Sequence, residues 1–148
     1  MPLEPARVIE HVHGHLGWLA AAALLHPAIV LRSRTRRAHL AVGLATGLVS
    51  VAAAHGAWLY VAYRERLRQG IFIEAPAVGL LFERKEHLAF GALIFAWVGA
   101  IAYAASSKRD LPFAEGLHRL AHRSFVVAAL LAAVVALLGT YVASYRTF

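Results

Sequence analysis

The sequence predicts an all-α integral membrane protein: a four-helix up-down bundle forming a single transmembrane domain over residues 1–148. Composition is the first reason. Of the residues 60% are apolar and 16% charged, and the mean hydropathy is +0.61, too apolar for a soluble globule. The second reason is that the apolar residues fall into four blocks, about 12–31, 40–63, 88–106 and 125–145. Each is near the ~20 residues that a helix needs to cross ~30 Å of hydrocarbon. The third is the punctuation between blocks, where basic clusters, glycine and proline stop each apolar run.

The first block opens at His15 and closes at Arg32, where RSRTRR forms a basic stop. The first fifteen residues, through His15, are polar and histidine-bearing, without a basic stretch leading into an apolar one, so the first span is expected to remain in the mature chain. The second span runs from about His39 to Tyr63 and carries Trp58, Tyr60 and Tyr63 at its far end, amphipathic rings of the kind that sit at a membrane interface. Trp18, Tyr141 and Tyr145 fall at the same level. The connection 64–86 contains GIFIEAPAVGLLF, too short to span and interrupted by Gly70, Pro76 and Gly79, and is expected to be an outer loop folded onto the surface. The third span follows from His87. Pro112 is placed to open the last helix, which continues through LHRLAHRS into the fourth span.

Both termini are expected on the side away from the cytoplasm, in a bacterial inner membrane. The loops on the Arg32 side hold eight Lys/Arg against seven on the other side, so the positive-inside bias is slight. The net charge of +7 sits in short loops, where cations meet lipid headgroups. Membrane lipid rather than nucleic acid is therefore the expected partner. The halves also resemble each other. His15-Leu and His87-Leu begin spans one and three, while Arg36-Arg37-Ala38-His39 and Arg119-Leu120-Ala121-His122 lead into spans two and four. A duplicated helical hairpin would place spans one and three, and two and four, diagonally across the bundle.

Nine histidines and no cysteine define the available chemistry. Disulfides, thiolate-bound zinc, cysteine-ligated iron–sulfur clusters and covalently attached haem are excluded, so a cofactor has to be held by imidazole or carboxylate. No nucleophile motif, phosphate loop or H-E-x-x-H is present. Imidazole in hydrocarbon needs a partner or a cofactor. At about 100° per residue, His15 and His26 share a face of span one, whereas His39 and His55 point to nearly opposite sides of span two.

Sorted by depth, the histidines form an outer group (His15, His55, His87) and an inner group (His26, His39, His118, His122), an arrangement that suits one or two bis-histidine haems b. The preferred axial pairs are His15 with His87 and His39 with His122, with His26 and His55 as substitutes. Gly43 and Gly91, each one turn beyond a candidate ligand, would let a macrocycle approach the backbone, although Gly43-x-x-x-Gly47 also reads as a helix-packing motif. His118 is expected to be solvated, and Trp97 to pack rather than relay electrons. An extended His11-Val-His13-Gly-His15 could chelate zinc or copper, but on a helix only His11 and His15 share a face. Glu83 and Glu86 could accept protons from a quinol, or be hydrated loop residues.

These residues resemble the bacterial four-helix membrane-bound cytochromes b, with histidines at both ends of a bundle. A narrower likeness is to a family of small four-span bacterial proteins, through His11 to His15, His87 to Gly91 and Gly139-Thr140-Tyr141. The proline usually found beside the first histidines of that family is missing here. The resemblance to the cytochromes implies haem b, electron transfer, and exchange with quinone or a redox partner. The expected role is thus a membrane electron-transfer subunit of a larger respiratory or photosynthetic complex rather than a self-contained enzyme. The 64–86 connection is expected to dock another subunit. The alternatives are a non-redox anchor or accessory subunit and a Zn/Cu-binding membrane protein.

Overall fold

The computed structural model describes residues 3–34, 38–107 and 112–145; Arg36 and Arg37 of the basic turn lie outside them. Five helices are present among the described residues: α1 (Leu3–Val30), α2 (His39–Arg66), α3 (Arg68–Glu74), α4 (Pro76–Ser106) and α5 (Ala114–Ala143). Four are long. Of these α2, α4 and α5 are long and apolar enough to cross a membrane. The 28 residues of α1 match the length of α2, but the histidines of its first half and His26-Pro27 near its end dilute its apolar run.

α1 packs on α2 and α5, and α4 packs on α5 and α2. α1 is therefore diagonal to α4, and α2 to α5. The outer faces carry large exposed apolar side chains, among them Leu40, Phe90, Ile101 and Leu130, which in water would form a patch far larger than soluble monomers show. Lipid contact accounts for them.

Small residues fix how close the helices come. In α4, Val78, Lys85, Ala92, Gly99 and Ser106 are all buried and follow one another at seven-residue intervals. His118, Phe125 and Ala132 do the same in α5. This is the seam of a left-handed helical bundle. At Gly99 the Phe125 ring of α5 lies so near that an added Cβ would be 2.9 Å from it. Phe125 is completely buried, as are Leu24 and Ala96. Mid-bundle, the Trp97 indole N–H donates to Ser50 Oγ at 3.1 Å, joining α4 to α2.

The segment 64–86 differs from expectation. It is nearly all helix: α2 runs on to Arg66, α3 occupies Arg68–Glu74, and α4 starts at Pro76. Leu67 separates α2 from α3 while keeping near-helical angles, and the sharper break is Ala75, at φ −145° and ψ 70°, where the following proline disfavours the helical conformation. Pro76 then serves as the first helical residue, a position where its missing N–H costs nothing. Gly79 does not break α4 either. An added Cβ there would sit 2.8 Å from the Phe72 ring, so this glycine lets α3 fold back against α4.

A test of the seam is Gly99→Val, whose branched side chain must displace Phe125. It should cost about 1–3 kcal/mol, read as a lower unfolding midpoint in detergent. Gly47→Val, at a site where an added Cβ meets nothing within 4 Å, should change stability by less than about 0.5 kcal/mol.

Candidate functional site: a polar cavity at the His13 end

Two adjoining cavities of about 380 and 200 Å³ open between the helices near the start of α1. Both are lined by His13, Gly17, Gly56, Lys85 and Glu86. The smaller reaches inward along Val49, Ala52, Ala92 and Ala132. The larger extends outward to Trp18, Tyr60, Tyr63 and Thr140. The space exists because these helices present glycine and alanine where neighbouring turns present larger residues.

The helical path of α1 decides which N-terminal histidine enters. His11 and His15 are exposed, while His13, on the other side of the helix, is half-buried. Its ring lies against Gly56, where an added Cβ would be 2.9 Å from His13 Cε1. His55 is next to it, with ring centroids 5.8 Å apart, and stacks in turn on Trp58. The Nδ1 atoms of His13 and His55 and the Tyr63 hydroxyl are buried and lack a hydrogen-bond partner.

Facing them from α4 is Lys85, only 7% exposed. Its ammonium donates to Glu86 Oε1 at 2.6 Å and lies 4.5 Å from the centre of the Phe82 ring. Phe82 stacks on Tyr63 with centroids 3.8 Å apart. Towards the surface, the Tyr60 hydroxyl and the Arg68 guanidinium both donate to Glu83, at 3.2 and 3.0 Å. The hydrogen bond that Arg68 donates to Glu83 raises the Arg68 pKa above its ordinary value. Trp18 Nε1 donates to Thr140 Oγ1 at 3.3 Å across the α1–α5 contact.

At the opposite end of the bundle, side chains bond to backbone groups at the helix ends. The Tyr103 hydroxyl accepts the Ala38 N–H at 2.8 Å, at the start of α2. His118 Nε2 donates to the Leu31 carbonyl at 3.0 Å, just past the end of α1. Tyr103 also packs edge-on against His39. These bonds satisfy backbone groups that helix ends leave without partners. His118, expected in solvent, is thus a buried tie between α5 and α1.

The candidate haem ligands are distributed differently. His15 is exposed at the rim of the larger cavity. His87 is exposed and lines neither cavity. Its Nδ1 is 2.7 Å from the Glu83 carbonyl, which can only accept, so Nδ1 carries a proton. His39 is exposed against Tyr103, and His122 is half-buried. His26 is exposed on the face of α1 that it shares with His15. Among the described residues, no three His, Asp or Glu side chains converge on a metal position. The extended His11–His13–His15 chelate does not form, because all three belong to α1.

Lys85, buried at the cavities, was not singled out in the sequence, and Tyr63 was read there only as an interfacial ring. The seven-residue spacing that links Lys85 to Val78 and Ala92 becomes visible only once α4 is extended back to Pro76. Tyr63 looks from the sequence like one more interfacial ring, yet it is 3% exposed. No known protein family, curated protein or solved structure matches the chain.

The two kinds of histidine separate by stability. His118→Ala leaves the Leu31 carbonyl without its donor and should cost about 1–3 kcal/mol. His26→Ala, at an exposed position, should change the unfolding midpoint by less than about 0.5 kcal/mol.

Proposed function

We propose that this chain is a four-span membrane electron-transfer protein of the b-type cytochrome class, working as a subunit of a larger respiratory or photosynthetic complex. In this reading α1 is the fourth span, in a bacterial inner membrane, with the termini outside the cytoplasm. The observation that carries it is His87. With Nδ1 donating to the Glu83 carbonyl, its Nε2 keeps a lone pair on an exposed face of a membrane helix, the tautomer and orientation that an axial ligand requires. The absence of cysteine from the sequence removes thioether attachment, so the haem would be held non-covalently, as b-type haem is.

His87 fits as a single ligand. His15 and His87 do not share a cavity, because His15 lines the larger one and His87 lines neither. His15, His39 and His122 are the other proposed ligands. His26 and His55 are the substitutes. Haem, when bound, supplies one-electron chemistry. The chain's own residues orient the imidazoles, exclude water along the alanine-rich seam, and set the proton on Nδ1 of His87.

Protein purified from its native membranes should show b-type absorption bands on reduction with dithionite and yield extractable protoporphyrin haem. His87→Ala should remove one haem signal, and His122→Ala should remove a different one. A colourless preparation made with adequate haem supply and intact partners overturns the proposal in favour of a non-redox anchor subunit. Retention of every haem signal in both variants overturns the ligand assignment.

A further inference from the structure

We infer that Lys85 is a covalent binding site for a membrane-soluble, long-chain aldehyde, held as an imine on the side-chain amine with Glu86 as its counter-ion. The inference goes beyond the electron-transfer reading and does not rest on it.

The choice of residue comes first. Of the fifteen Lys and Arg in the sequence, only Lys85 and Lys108 are lysine. Arg64, Arg66, Arg68, Arg84, Arg119 and Arg123 are exposed, whereas Lys85 is 7% exposed. Lysine is rarely so buried. If the position required only a cation beside a carboxylate, the planar and more weakly hydrated guanidinium would serve better. What lysine adds is an amine that can give up its proton and become a nucleophile.

The surroundings meet the other needs of imine chemistry. Lys85 and Glu86 line both cavities, so the pair borders the space that a ligand enters. The larger cavity, at about 380 Å³, falls within the roughly 300–1,000 Å³ range of small-molecule sites. The smaller one continues between Val49, Ala52, Ala92 and Ala132, side chains that suit an alkyl chain and offer a polar one no hydrogen bond.

The carboxylate beside the amine can move the protons. Glu86 Oε1, 2.6 Å from Lys85 Nζ, takes a proton from the ammonium. The freed lone pair attacks the aldehyde carbon, an N–C bond forms, and the carbonyl π pair moves to oxygen, which takes a second proton from the nitrogen. Glu86 then returns its proton to that hydroxyl, which leaves as water while the nitrogen lone pair closes the C=N bond. Ammonium and aldehyde thus give protonated imine and water, with no oxidant or reductant. The Glu86 carboxylate, and the Phe82 ring 4.5 Å from Nζ, stabilise the cationic imine as they do the ammonium. The apolar walls hold water away from a bond that water would hydrolyse.

The charge of the pair argues against an anionic ligand. A fatty-acid carboxylate would compete with Glu86 for the same ammonium, whereas a neutral aldehyde leaves that ion pair in place until it reacts.

The full chain in phosphatidylcholine nanodiscs is incubated with dodecanal and sodium cyanoborohydride, which reduces the protonated imine to a stable amine, and the adduct is located by peptide mass spectrometry. Saturable labelling at Lys85, at aldehyde concentrations that leave Lys108 unmodified, is expected. Gly17→Leu fills the cavities from a position where an added Cβ meets nothing within 4 Å, and should slow labelling of Lys85 about tenfold by taking the space of the alkyl chain. Gly47→Leu, equally open but outside the cavities, should leave it unchanged. Glu86→Gln should slow trapping about tenfold, because the carboxylate favours the charged form that the reagent reduces. Lys85→Arg should abolish the saturable adduct.

No adduct at Lys85, or labelling of Lys85 and Lys108 alike in proportion to aldehyde concentration, overturns the site. An unchanged rate in Gly17→Leu, or equal labelling of Lys85 by acetaldehyde, overturns recognition of a long chain. An unchanged rate in Glu86→Gln overturns the part given to the carboxylate.

Discussion

The close approach of α4 and α5 is the contact on which the other packing depends. Gly99 admits the Phe125 ring to a distance that any side chain would block, and Ala92, Ala96 and Ala102 continue the same buried stripe along α4. In hydrocarbon, helices are not driven together by exclusion of water. They associate where small residues allow dense van der Waals contact and where polar groups meet. With α4 and α5 in contact, α1 packs on the open side of α5 and α2 closes against both α1 and α4.

The same use of small residues has a different result at the His13 end. Gly17, Ala136 and Gly139 all line the larger cavity, and an added Cβ at Gly17 would meet nothing within 4 Å. Small residues thus give tight packing where Phe125 is inserted at Gly99 and open space at Gly17. The two ends of the bundle differ in the same sense. At the Leu31 end, Tyr103 and His118 hydrogen-bond to backbone groups at the helix termini. At the other end, His13, His55 and Tyr63 bring polar atoms into the interior without partners. Buried unsatisfied groups are costly, and of the four among the described residues three lie at this end, with Thr46 Oγ1 as the fourth.

Much of the architecture was legible in the sequence. Apolar block lengths and composition specify helices and a membrane environment, because both follow from the length of hydrocarbon to be crossed and from the need to satisfy every backbone group within the helix. The segment 64–86 was less legible. Gly70, Pro76 and Gly79 are residues that interrupt helices in isolation, yet only Ala75 leaves the helical region. Pro76 starts a helix, and Gly79 accommodates Phe72. The function of such residues depends on the neighbours they meet.

What the sequence determined by itself is the helical class, the membrane character and the lack of cysteine ligands, since these follow from composition and local periodicity. Periodicity also told which residues share a face: His15 and His26 do, and both are exposed. It did not tell which face points inward. That choice belongs to the packing of one helix against another, and it turned His13, Lys85, Tyr63 and His118 towards the interior while leaving His15, His39 and His87 on the outside. A helix wheel is unchanged by rotation about its own axis, and only the seam of small residues on the neighbouring helices fixes that rotation.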